Sequence, residues 1–284
     1  MEYIIEQNVF ELEDIFECGQ CFRWNKEENG SYTGVFGNNV INVEKKENKV
    51  IFKGVCEGNI KDICSKYFDL YRDYTKIREE LSKIDENLKI SVEYGKGIRI
   101  LNQDLWETII SFIISANNNI PRIKGIIERL SKKYGNKIIY GGKEYYTFPL
   151  PEQLKDVTVS DFRELGLGFR DIRLYETTKM ILNEDVSLEK IENMKTEEAR
   201  EELLKLSGVG PKVADCILLF STLKRFDVFP IDVWVRRVMN DLYIRKEDET
   251  KVSKKEIQEL ADTKFGNLQG LAQQYLFYWK RDTA

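Results

Sequence analysis

The sequence predicts an α+β protein, with an antiparallel-sheet domain over residues 1–88 and a mostly α-helical domain over 89–284. Three observations carry this. Short segments rich in β-branched and aromatic residues, separated by Gly, Asn and charged turns, fill the early part of the chain. From about residue 89 the apolar residues recur at helical spacing. Two Gly-x-Gly turns, each ending in a basic residue, join helical segments late in the chain.

The strand signals are Phe22-Arg23-Trp24, Ser31 to Phe36, Asn39 to Val43 and Lys49 to Phe52, with Gly37-Asn38 as a hairpin turn. Residues 59–84 then read as helix, with Ile63, Tyr67, Leu70, Ile77 and Leu81 on one face. Asp104 caps a segment, Leu105 to Ile114, that is apolar on nearly all sides and therefore belongs in a core. It runs into Asn117-Asn118-Asn119, after which Pro121 opens another helix. An Asn-rich turn is common, and amide side chains there would equally suit hydrogen bonding to DNA; the residues leave both open. Residues 134–150 read as a loop or small excursion. Asp161 to Arg170 holds the first Gly-x-Gly turn, and Leu268 to Arg281 a last helix with Gln273 and Phe277 on one face.

Composition narrows the function classes. The chain has 284 residues, 12% aromatic and 32% charged, which suits a folded globular protein. No apolar run approaches membrane-spanning length, and Met1-Glu2-Tyr3-Ile4 carries no secretory pattern, so a cytoplasmic protein without a membrane role is expected. Five irregularly spaced cysteines fit free thiols in a reducing compartment. There is no histidine, so nucleophilic and acid–base work falls to Lys, Asp, Glu, Cys or Tyr. The net charge of −4 argues against nucleic-acid binding by bulk charge alone. It leaves room for binding through backbone N–H groups and a local basic face.

The second Gly-x-Gly turn is the densest stretch. Thr196 is expected to cap a helix with Glu197 and Glu198 in its first turn, and Leu203, Leu204 and Leu206 to supply apolar contacts. Gly208 takes the left-handed conformation that stops this helix, and Pro211 opens the next. Two helices over about 196–220 result, joined by a turn whose free N–H groups at Gly208, Val209 and Gly210 suit a phosphate. Lys212 then stands in the first turn of the second helix, where the dipole disfavours a cation, with Cys216 one turn along the same face. Asp232 precedes Val233-Trp234-Val235 and caps a further helix. Singly, these are a solvated lysine, a structural cysteine and a capping aspartate.

Four stretches, in order, carry a more specific signal. They are Gly19-Gln20-Cys21-Phe22-Arg23-Trp24, Asn117 to Arg122, Leu165-Gly166-Leu167-Gly168-Phe169-Arg170, and Gly208 to Cys216. With the aspartate 20 positions after Lys212, this set closely resembles the 8-oxoguanine DNA glycosylase/lyases of the helix-hairpin-helix DNA glycosylase superfamily. The resemblance implies a sheet domain followed by a helical domain with the site in a cleft. It implies a bifunctional enzyme that flips 8-oxoguanine out of duplex DNA, excises it through a lysine Schiff base and cuts the strand by β-elimination. Lys212 would be the nucleophile and Asp232 the essential carboxylate. The Gly19 carbonyl, Cys216, Gln273 and Phe277 would surround the base. Asn117, Arg122, Phe169 and Arg170 would face the DNA gap and the orphaned partner base.

Two departures concern DNA contacts: Trp234 stands where many relatives have histidine, and Phe169 where they often carry tyrosine. The partner expected is duplex DNA containing oxidised guanine, with the protein a monomer. No cofactor is expected to be required. The last cysteine, Cys216, lies too early for the C-terminal iron–sulfur cluster of some relatives. A cation bound by the backbone carbonyls of Leu204, Leu206 and Val209 would bridge to phosphate. For Lys212 to attack it must be neutral, a state only about 1 in 2,500 unperturbed lysines occupy at pH 7. Burial at a helix N-terminus is expected to favour it. The competing readings are a non-catalytic helix-hairpin-helix DNA-binding protein, for which Lys212 is dispensable, and a glycosylase for another damaged purine, whose monofunctional relatives generally lack the lysine.

Overall fold

The computed structural model describes residues 1–283. The chain opens with β1 (Glu2–Glu6) and a short helix, α1 (Leu12–Phe16). Strands β2 (Trp24–Lys26), β3 (Tyr32–Phe36), β4 (Asn39–Lys46) and β5 (Lys49–Val55) follow. Their order in the sheet is β1-β5-β4-β3-β2, with every neighbour antiparallel. Gly37-Asn38 makes the β3–β4 turn, pairing Phe36 with Asn39. Alternation along β5 sends Val50 and Phe52 inward. They meet an aromatic core in which Phe16 stacks on Trp24 at 4.3 Å and Phe36 on Tyr67 at 3.8 Å. The Trp24 indole N–H donates to the Tyr67 hydroxyl at 3.0 Å, so these two buried ring polar groups satisfy each other.

The expected helix over 59–84 is two helices, α2 (Ile60–Tyr67) and α3 (Tyr74–Ser82), followed by α4 (Glu86–Tyr94). The break has a cause. Asp69 adopts φ 50° and turns its carboxylate to Lys224, far along the chain, at 2.9 Å. Phe68 still packs under the sheet, whereas Tyr74, Leu81 and Leu88 belong to the second core.

That core is built on α5 (Leu105–Ser115), capped by Asp104 and buried on nearly every side. After it come α6 (Ile120–Tyr134), a two-stranded hairpin of β6 (Lys137–Tyr140) and β7 (Lys143–Tyr146), and α7 (Val159–Glu164). The loop expected over 134–150 therefore contains a hairpin, its turn made by Gly141 and Gly142, both at positive φ. Helices α8 (Asp171–Leu182), α9 (Leu188–Asn193), α10 (Thr196–Leu204) and α11 (Pro211–Phe220) follow. The chain closes with α12 (Val233–Met239), α13 (Lys254–Lys264) and α14 (Gln269–Thr283). Thr196 is not the cap of α10. That place belongs to Lys195, whose N–H donates to the Glu198 carboxylate at 3.1 Å, while the Thr196 hydroxyl turns to Asp227. Leu204 is half-exposed, and Leu203 and Leu206 provide the buried contacts.

Helix α14 ties the two parts together. Gln274 donates to the Cys18 carbonyl at 2.6 Å and Arg281 to the Glu17 carbonyl at 2.8 Å. The strand-side loop at residues 17–20 is thus held against the helical core. All five cysteines are buried free thiols. Among the described residues no helix is long and apolar enough to cross a membrane.

Candidate active site

The α10–α11 hairpin forms as its glycines require. Gly208 has φ +85°, and a Cβ there would stand 2.8 Å from Arg173 Cδ and 3.2 Å from Ile113 Cγ2. Gly210 is extended, with open space where its Cβ would be. Among the described residues the N–H groups of Gly208 and Gly210 donate to nothing in the chain. Val209 itself is buried and its N–H donates to the Leu206 carbonyl at 3.1 Å. Of the three N–H groups expected to meet a phosphate, Val209 therefore supplies packing instead. The same bond occupies one lone pair of the Leu206 oxygen, one of the three carbonyls expected to hold a cation.

Helix α11 carries Lys212 and Cys216 into a cleft of about 750 Å³. Its other walls come from α5, α12, α14 and the loop at residues 18–19. The cleft is lined by Gly19, Asn117, Lys212, Cys216, Asp232, Gln273 and Phe277, which come from five separate stretches of chain. Each has a local reason to be there. Gly19 turns at φ +87°, and its carbonyl accepts no hydrogen bond from the described residues. Asp232 caps α12 by accepting the Val235 N–H on Oδ1 at 2.8 Å. Gln273 is buried with its Oε1 unpartnered, an acceptor enclosed at the cleft without a donor.

Lys212 is subject to opposing effects: the charge of Cys216, when ionised, is the largest and favours the ammonium, burial disfavours it as expected, and Asp232 again favours it. Its nitrogen also lies 5.7 Å from the centroid of the Phe112 ring, a cation–π contact that favours the charged form. Cys216 is pushed up to about 11, chiefly by burial, with Lys212 acting in the other direction. At neutral pH the thiol is protonated beside an ammonium.

The remaining expected residues gather at the rim. Arg122 is exposed and donates to the Gly166 carbonyl at 3.2 Å. Phe169 is 53% exposed. Arg170 is the exception, being 1% exposed. Its guanidinium donates to the carbonyls of Ala116, Asn117 and Leu167, so here it braces the asparagine corner instead of facing outward. The three asparagines divide their work. Asn118 donates to the Ile114 carbonyl and Asn119 caps α6, whereas Asn117 is exposed at φ 52°.

Several lining residues escaped the sequence reading. Arg236, Lys254, Gln274 and Arg281 border the cleft. Gln20, fully buried, holds the Gly19 loop by donating to the Ile15 and Arg99 carbonyls and accepting the Leu101 N–H. Gln20, Gln274 and Arg281 bond to segments 79 or more positions away, which leaves no local signature of these contacts. Among the described residues no group of three or more His, Cys, Asp or Glu side chains could hold a metal ion.

Residues 2–109 match the N-terminal domain of 8-oxoguanine DNA glycosylase, and residues 110–263 match the HhH-GPD superfamily of base excision DNA repair proteins. A probable N-glycosylase/DNA lyase of Methanothermobacter thermautotrophicus is 33% identical over 230 residues, 74% of this chain and 70% of its own length. The fold is similar to that of a Clostridium acetobutylicum 8-oxoguanine glycosylase/lyase. Its apo-form gives a TM-score of 0.91 at 48% identity, covering 98% of this chain and 96% of that one. Its complex with double-stranded DNA containing cytosine opposite 8-oxoguanine gives 0.92 at 46% identity, covering 100% and 98%.

Proposed function

The chain belongs to the 8-oxoguanine DNA glycosylase/lyases of the HhH-GPD superfamily, and from that membership we propose how its residues divide the work of a bifunctional DNA N-glycosylase and AP lyase. The enzyme acts on double-stranded DNA containing oxidised guanine. The observation that carries the assignment of roles is the convergence of Lys212, Asp232, Gly19, Cys216, Gln273 and Phe277 on one cleft.

The base leaves the stack at a cost of a few kcal/mol. Phe169 fills the hole, and Asn117 and Arg122 meet the bereaved strand. Arg170 supports this edge through the carbonyls of Ala116 and Asn117; a direct contact from it to the estranged base requires that corner to open. In the cleft the free Gly19 carbonyl faces N7, which bears a hydrogen in 8-oxoguanine and a lone pair in guanine. The lesion is rewarded and guanine repelled. The unpartnered Gln273 Oε1 takes an N–H of the base, and Phe277 and Cys216 contact its surfaces.

Lys212 must first lose a proton, because a lysine is almost wholly an ammonium at neutral pH. Its nitrogen then attacks C1′, and the glycosidic bond breaks with its electron pair leaving on the base, which takes up a proton. The sugar opens to an imine, the C2′ proton departs, and the C3′–O bond breaks to expel the 3′ phosphate. Asp232 stabilises the oxocarbenium-like sugar, with removal of the lysine proton as its lesser role. The hairpin N–H groups of Gly208 and Gly210 hold backbone phosphate. The Leu204, Leu206 and Val209 carbonyls are the seat for any bridging cation.

The expected division at 88/89 falls inside α4 (Glu86–Tyr94), and α3 and α4 already pack on the helical core through Tyr74, Leu81 and Leu88. The enzyme works as a monomer in the cytoplasm, where its DNA lies.

The test is strand cleavage of duplexes with 8-oxoguanine opposite each of the four bases, beside borohydride trapping of the covalent adduct. Cleavage at the lesion, a trapped adduct, and loss of both in Lys212→Gln are expected. Equal cutting at undamaged guanine, or an adduct that survives Lys212→Gln, overturns the assignment.

A further inference from the structure

Helix α8 meets the hairpin turn through one face. Thr177 donates its hydroxyl to the Ser207 carbonyl at 2.9 Å, and Glu176 accepts the Ser207 hydroxyl at 2.5 Å. One turn earlier Arg173 crosses Gly208 so closely that a Cβ there would meet its Cδ at 2.8 Å and its Cβ at 3.2 Å. The guanidinium of the same arginine lies 5.0 Å from the centroid of the Phe169 ring, while that of Arg170 lies 4.2 Å from it. Arg173 therefore touches both Gly-x-Gly turns at once.

Its charge is not neutralised. Asp171 is paired with Arg163 at 2.7 Å, Glu176 is engaged by Ser207, and no carboxylate of the described residues lies within 4.0 Å of Arg173. Arg122 and Arg170 stand nearby, adding like charge. A half-buried arginine kept among cations, beside two unpartnered N–H groups at Gly208 and Gly210, is a site short of an anion.

We propose that Arg173 is a positioning residue that binds a DNA backbone phosphate between the two turns and thereby fixes the Phe169 ring for insertion into the duplex. This rests on the wedge role given to Phe169 above. The phosphate completes the hairpin's anion site and anchors the guanidinium, and the anchored guanidinium holds the ring by cation–π contact. Grip on the backbone and filling of the base gap become one event.

Two measurements on Arg173→Ala and Arg173→Lys test this. The first is the salt dependence of binding to undamaged duplex. Losing one phosphate contact is expected to flatten the log K against log salt slope by about 0.9 in Arg173→Ala, with Arg173→Lys restoring it. The second compares 8-oxoguanine excision from duplex with borohydride trapping on a single-stranded abasic oligonucleotide, which has no base to evict. Arg173→Ala is expected to slow excision by about tenfold, the loss of one charged hydrogen bond, and to slow trapping clearly less, because trapping loses the phosphate contact alone whereas excision also loses the fixed ring. An unaltered slope, or an equal loss on both substrates, overturns the proposal. A wild-type enzyme inactive on 8-oxoguanine would instead fail the assigned function, while the salt slope would still test the phosphate contact.

Discussion

Lys212 and Cys216 lie one turn apart on α11, yet at neutral pH they do not form an ammonium–thiolate pair. Burial pushes the Cys216 thiol up to about 11, against the pull of Lys212. The thiolate charge that would most raise the lysine is thus absent near pH 7, and Asp232 is the charge that acts there. Borohydride trapping on abasic DNA requires the free amine, so its rate should climb about tenfold per pH unit from about pH 6 until the lysine titrates. Removing the carboxylate charge in Asp232→Asn should shift this rise to lower pH, even as excision of 8-oxoguanine falls. Cys216→Ala should leave trapping near pH 7 unchanged. A flat trapping profile across this range would show that Lys212 is already neutral.

Gln273 gives a separable prediction. Its Oε1 is buried and unpartnered in the free protein, an arrangement that costs stability. Gln273→Ala should therefore unfold at the same or a higher urea concentration than wild type. Donors on the flipped base would satisfy that oxygen, so the variant should lose about 1–3 kcal/mol of transition-state stabilisation on 8-oxoguanine duplex. Trapping on abasic DNA, where no base is present, should be unaffected. A parallel loss on both substrates would remove Gln273 from base recognition.

How far the sequence reached depends on how local each cause is. The Gly37-Asn38 turn, the Asp104 and Asp232 caps and the Gly208 helix stop were all legible, because each is decided within a few residues. The break between α2 and α3 was not, since Asp69 turns there to reach Lys224. Arg170 follows the same logic. A basic residue ending a glycine turn reads as exposed, and only the fold brings the Ala116 and Asn117 carbonyls over it from 54 and 53 positions away. The β6–β7 hairpin is different, because Gly141-Gly142 was a usable turn signal between two short strands. Lys212 and Cys216 were visible as a pair on one helix face. Gly19, Gln273 and Asp232 joined them only through the family resemblance, as no periodicity links stretches so far apart.

The Asp69–Lys224 contact carries the last prediction. Asp69 Oδ2 accepts from Lys224 at 2.9 Å, Arg72 at 2.6 Å and the Tyr74 hydroxyl at 3.0 Å, and both members of the pair are largely buried. Asp69→Asn would leave the Lys224 ammonium enclosed without its counter-charge, and should cost roughly 3–5 kcal/mol in urea unfolding. The pH dependence has two limbs. Burial alone would raise the Asp69 carboxyl, but Lys224 and Arg72 together outweigh it and hold it below the usual carboxylate value. Its contribution is present above the ordinary carboxylate range and is lost as pH falls through the lowered folded value, so wild type and Asp69→Asn should converge in acid. Lys224 is pushed down to about 8 from 10.5, chiefly by burial. Between these values the unfolded chain binds more protons, so Lys224's contribution should become more favourable as pH rises through that window. Lys224→Met should abolish this alkaline rise. If the rise persists in Lys224→Met, another group produces it; if Asp69→Asn costs nothing at pH 7, the contact is not what holds the break between α2 and α3.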